Sequence, residues 1–172
     1  MFRYAKTPSF LQLIVLMAVM TIAPAKASLI PFSAYIDGAQ ANAGIGTGSL
    51  ATGSATMWLD DVTNDFSWAV SWSGLNIVTA AHFHGPATSA QNAGVQVPIN
   101  FGINPAIGNA TLTAGQTSDL LAGLWYINIH TAAFPGGEIR GQISQQIMVP
   151  APGALLLLLL SVPGLLFLRR RH

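Results

Sequence analysis

The stretch "FSWAVSW", residues 66–72, constrains this chain more than any other. Phe66, Trp68, Val70 and Trp72 alternate with Ser67, Ala69 and Ser71, the period of an extended strand with one buried face. "PFSAYID" (31–37) and "GSLATGSATMWLDD" (48–61) read as further strands. Glycine, proline and asparagine break the runs. Only "TSDLLAGL" (117–124) reads as a helical turn, with Ser118 as its candidate cap. Residues 28–147 are therefore expected to form an all-β domain, an antiparallel β-sandwich or barrel of immunoglobulin-like or Greek-key type.

The last two strands are the most legible. In "WYINIHT", Trp125, Ile127 and Ile129 face one side while Tyr126, Asn128 and His130 face the other. In "GEIRGQI", Ile139 and Ile143 oppose Glu138, Arg140 and Gln142 in the same way. The intervening "AAFPGG" is a turn, so the pair forms an antiparallel hairpin. Both apolar sets must face one core, which requires an even sum of paired residue numbers. Centring the turn at Phe134 sets His130 opposite Glu138, Asn128 opposite Arg140 and Tyr126 opposite Gln142. These six residues are expected to share a polar face. Cross-strand charged pairs there, at a few tenths to about 1 kcal/mol each, fix register more than they stabilise.

Charge and cysteine exclude several functions. Between residues 28 and 147, Arg140 is the one base against six acids, a net charge of −5 with neutral histidines. Such a surface repels a phosphate backbone, which excludes nucleic acid as a partner. The absence of cysteine excludes disulfides, thiol nucleophiles, cysteine-type zinc sites and iron–sulfur clusters. "GTGSLA" (46–51) fits a dinucleotide-loop spacing but has no strand–turn–helix context, and no nucleophile elbow or carboxylate pair is present. No catalytic residue is assigned.

His82 and His84, in "AHFHGPA" (81–87), stand one residue apart, so on a strand both point away from inward-facing Ala81 and Phe83. Imidazoles at that spacing can chelate one ion, and His130 from another strand supplies a third nitrogen. Three histidines without cysteine suit Zn²⁺ or Cu²⁺, with Glu138 as the acceptor behind His130. The competing reading is that histidines beside a Gly-Pro turn are hydrogen-bonded structural residues.

The ends differ from the middle. Residues 1–27 have the pattern of a secretory signal: Arg3 and Lys6, the apolar run 10–23, then Ala25 and Ala27 placed for cleavage by signal peptidase. From Ile147 to Leu168 no residue is charged, and Arg169, Arg170 and Arg171 follow. This is expected to give a transmembrane helix over about 153–168 with the arginines on the cytoplasmic side. Val149, Pro150 and Pro152 before it, with the terminal arginines, resemble the PEP-CTERM sorting signal, with Ala151 where the usual residue is Glu. That resemblance implies recognition by an exosortase over residues 148–172.

Two segments, "AHFHGPA" and "LLAGLWYINIHTAAFPGGEIRGQI" (120–143), resemble the CHRD domain, over roughly residues 31–145. Tyr126, Asn128, His130, Thr131, Pro135, Gly137, Glu138, Ile139, Arg140 and Gly141 carry the likeness. It implies an extracellular β-sandwich or barrel and no enzymatic role. The combined expectation is an exported, membrane-anchored protein destined for the cell surface or extracellular matrix. It would be non-enzymatic, without an obligatory cofactor, and would bind extracellular polymers or surface proteins. The alternative expectation is a Zn- or Cu-binding domain built on His82, His84 and His130.

Overall fold

The computed structural model describes residues 27–147. Nine antiparallel strands form one sheet. They are β1 (Leu29–Asp37), β2 (Thr52–Asp60), β3 (Asp65–Ser73), β4 (Val78–His84) and β5 (Val95–Pro98). After these come β6 (Ala106–Thr111), β7 (Tyr126–Thr131), β8 (Ile139–Gln142) and β9 (Ser144–Gln145). The strand order is β5-β4-β7-β8-β1-β2-β3-β6, with β9 paired to β1.

The alternating runs produce this sheet by burying one face. Phe66, Trp68 and Val70 of β3 are buried, and Trp72 packs half-buried against them. Ala81 and Phe83 of β4, Ile127 and Ile129 of β7, and Ile139 of β8 join the same core. At its centre Phe66, Trp68, Phe83 and Trp125 pack edge-on or tilted, with ring centroids 5.0–6.3 Å apart. A core aromatic of this kind contributes about 3–5 kcal/mol when judged by truncation to alanine.

A single sheet can enclose a core only by curling. The path ends at β5 and β6, which do not pair with each other. One helix, α1 (Ala114–Leu121), follows β6, buries Leu120, and sends Gln116 across to Gln96 of β5 at 3.2 Å. The molecule is thus a near-barrel closed by a helix, not two stacked sheets. The helix begins earlier than the sequence suggested, because Thr113 and Gln116 form a capping box that outcompetes Ser118 as the start.

The expected all-β architecture holds, but the expected fold class is corrected at its end. Among the described residues no helix is long and apolar enough to cross a membrane. The span expected over about 153–168, the signal residues before Ala27 and the motif of Val149, Pro150 and Pro152 lie outside the described residues.

The final hairpin has the expected register, with Tyr126 opposite Gln142 and Asn128 opposite Arg140. Its polar face is not a solvent-facing one. Tyr126 and Arg140 are buried because the segment from Gly85 to Gly94 folds back over them, and Asn128 is buried beside the Gly136–Gly137 turn.

Candidate metal centre

Strand alternation places the three histidines. Phe83 is fixed in the core, so His82 and His84 must project from the outer face of β4. β4 pairs with β7 so that His82 lies opposite Asn128 and His84 opposite Tyr126. His130, two residues beyond Asn128, completes the group on the same face. One nitrogen from each of His82, His84 and His130 lies within 4.8 Å of the other two. His82 Nδ1 and His130 Nε2 are 3.4 Å apart, close to the roughly 3.3 Å between two nitrogens on one tetrahedral Zn²⁺.

Two backbone carbonyls fix which nitrogens face inward. His84 Nδ1 is 2.9 Å from the Ala93 oxygen, and His130 Nδ1 is 2.8 Å from the Pro135 oxygen. A carbonyl can only accept, so each Nδ1 carries its proton, and in the neutral ring each Nε2 presents a lone pair. His84 Nε2 is buried and has no hydrogen-bond partner. The other such atoms among the described residues are the indole nitrogens of Trp68 and Trp125, both in the apolar core. The His84 nitrogen instead belongs to a side chain ringed by two further imidazoles. An unsatisfied buried polar atom costs about 1–3 kcal/mol, and a bound ion would supply its partner.

The electrostatics favour the same state. Burial pushes His84 below the ordinary histidine pKa, the Ala93 carbonyl opposes this, and His82, His130 and Arg140 add to the lowering. Burial and the neighbouring His130 also lower His82. Neutral imidazole is the metal-binding form. The donor set is all nitrogen, which suits Zn²⁺ or Cu²⁺ and argues against the oxygen-seeking Mg²⁺ and Ca²⁺.

The remaining expected site residues are placed differently. Glu138 is not behind His130. Its carboxylate accepts from Thr131 Oγ1 at 2.5 Å and Ser49 Oγ at 2.7 Å, while Pro135 serves His130. Thr131 follows His130 in β7 and so points to the opposite face, which takes Glu138 there too. Arg140 makes no cross-strand charged pair; it is 1% exposed and bonds only neutral oxygens. Gln142 donates to the carbonyls of Ala87 and Gly123, both at 2.9 Å. Asn128 Nδ2 donates to the Gly136 oxygen at 3.0 Å and lies 3.4 Å from His130 Nε2.

Sequence reasoning missed Ala93 and Pro135 because they act through backbone atoms, which no residue pattern encodes. One signal was available for the covered face. A hairpin whose outward set is Tyr, Asn, Arg and Gln carries the multi-donor side chains that a buried polar layer needs.

The fold is a curled antiparallel sheet with three clustered imidazoles on one partly covered face. The chain belongs to the CHRD domain family, whose model matches residues 32–143, and this family is one of non-catalytic modules. No curated protein and no solved structure matches the chain. The family match reaches neither terminal segment, and no described helix is a membrane span. The expected membrane anchoring, and the surface localisation built on it, are corrected to the extent that no described helix can supply the anchor, and the segments on which export and processing by signal peptidase and exosortase were read lie outside the described residues. Among the described residues the partner for which a side-chain group is present is a metal ion, which His82, His84 and His130 could hold.

Proposed function

We propose that this CHRD domain is a metal-binding module, holding one Zn²⁺ or Cu²⁺ on His82, His84 and His130. The observation that carries this reading is the pair of carbonyl-fixed imidazoles. Both are tied through Nδ1, which leaves Nε2 as the ligand atom of each, and the Nε2 of His84 is buried without a partner. His82 is the adjustable member, since no backbone carbonyl holds its ring among the described residues. The 4.8 Å outer limit of the cluster exceeds the roughly 3.3 Å between two nitrogens on one tetrahedral ion, so binding draws the rings together by up to about 1.5 Å. Three protein nitrogens leave one position open, which water or a donor atom from a bound partner completes.

Metal analysis tests the reading. The full chain, loaded with Zn²⁺ or Cu²⁺ and desalted, should retain one ion per chain, and His84→Ala should retain much less. Substoichiometric metal in the unsubstituted chain, or equal retention by the variant, would remove the site.

A further inference from the structure

Arg140 is a costly group to find inside this fold. It is the only base in the described residues, it is almost wholly buried, and no carboxylate is among its hydrogen-bond partners. Burying a guanidinium among neutral groups is costly, and burial pushes its pKa below the ordinary arginine value. A core would be simpler without it. Its contacts show what it holds.

The guanidinium reaches one loop. Nη1 donates to the Gln91 oxygen at 2.8 Å and to Asn92 Oδ1 at 3.2 Å, and Nη2 donates to the Thr88 oxygen at 2.9 Å. The residue immediately after Asn92 is Ala93, whose carbonyl fixes His84. A second route arrives at the same place. The Arg140 carbon lies 3.5 Å from the centroid of the Tyr126 ring, and that ring stacks on His84 at 5.1 Å and 13°. β7 lies between β4 and β8, so Tyr126 is sandwiched between His84 and Arg140. The Tyr126 hydroxyl accepts from the Ala93 N–H at 3.0 Å and donates to the Ala93 oxygen at 3.3 Å.

We propose that Arg140 is a positioning residue of the metal centre. It clamps the 85–94 loop over Tyr126 so that the Ala93 carbonyl holds His84 with its Nε2 lone pair facing the ion. The need is chemical: a neutral imidazole left in water carries its proton mainly on Nε2, which would block that ligand atom. The planar fork of arginine is required because several acceptors and one ring face must be met at once. A lysine ammonium, a point donor, cannot meet them together.

This inference rests on the metal-binding reading, and the experiment separates the two. Long-range ¹H–¹⁵N spectra of the metal-free full chain read the His84 tautomer, and Zn²⁺ titration reads affinity. Arg140→Lys should move His84 toward the Nε2–H form and weaken Zn²⁺ binding by about ten- to a hundredfold. Tyr126→Phe keeps the ring and loses only the Ala93 bonds, so it should shift both readouts the same way by less. It also carries the test if Arg140→Lys does not fold. Glu138→Gln, at a position also buried but wired to Ser49 and Thr131, should leave both readouts unchanged. An unchanged tautomer and affinity in the folded clamp variants would overturn the proposal. So would an equal loss of affinity in Glu138→Gln. If the tautomer shifts but the unsubstituted chain binds no Zn²⁺, the clamp stands and the metal reading fails.

Discussion

His84 is the residue on which the chemistry converges, and its protonation predicts how the metal-free protein responds to acid. Its pKa and that of His82 are lowered in the folded chain, chiefly by burial. The unfolded chain, with histidine near about 6.5, then binds more protons than the folded one as pH falls below that value. Stability should be flat above about pH 7 and decline through the lowered pKa values, levelling once both states are protonated. Urea unfolding from pH 8 to pH 5 should show this slope, and His84→Gln should make it shallower. An unchanged slope in the variant would remove His84 from the account. Gly137 is a second diagnostic residue. Its φ is +115°, and a Cβ there would collide with the Asn128 amide. Gly137→Ala should therefore cost about 1–3 kcal/mol in chemical denaturation and displace the amide beside His130. A neutral outcome would mean the turn can relax.

β4 shows how an element couples core to site. Phe83 is the apolar anchor between two outward imidazoles. Phe83→Ala should cost about 3–5 kcal/mol, read as a shifted denaturation midpoint, and added Zn²⁺ should recover part of the loss. Recovery of none would separate the strand from the site. The helix provides a contrasting case. Thr113→Ala removes one half of the capping box and should cost about 1 kcal/mol without changing metal affinity. These elements were unequally legible in the sequence. β3 and the β7–β8 pairing followed from period two and the requirement of one core, and the Tyr126–Gln142 and Asn128–Arg140 pairs match. The His-x-His spacing brought His82 and His84 to one face because strand alternation is local. Glu138 was misplaced because the strand begins only at Ile139, and before that point alternation does not dictate where a side chain points. The burial of Arg140 was not legible, since it depends on a loop some fifty residues away in the chain.

At the scale of the whole molecule, a single curled sheet exposes only one continuous outer face. Most of that face is solvated, but over β4, β7 and β8 it is roofed by the 85–94 loop. That roof turns an ordinary polar face into a partly buried layer in which imidazoles stay neutral and a guanidinium can act as a clamp. A ligand that binds only the folded form raises stability by mass action, about 2.7 kcal/mol at a hundred times its dissociation constant. The most direct measurement is therefore calorimetric titration of the full chain with Zn²⁺ or Cu²⁺, beside His130→Ala. The account predicts one ion per chain, lost or weakened by more than about a hundredfold in the variant, beyond the usual effect of an outer-shell change. No saturable binding by the unsubstituted chain, or binding that survives intact in His130→Ala, would contradict it.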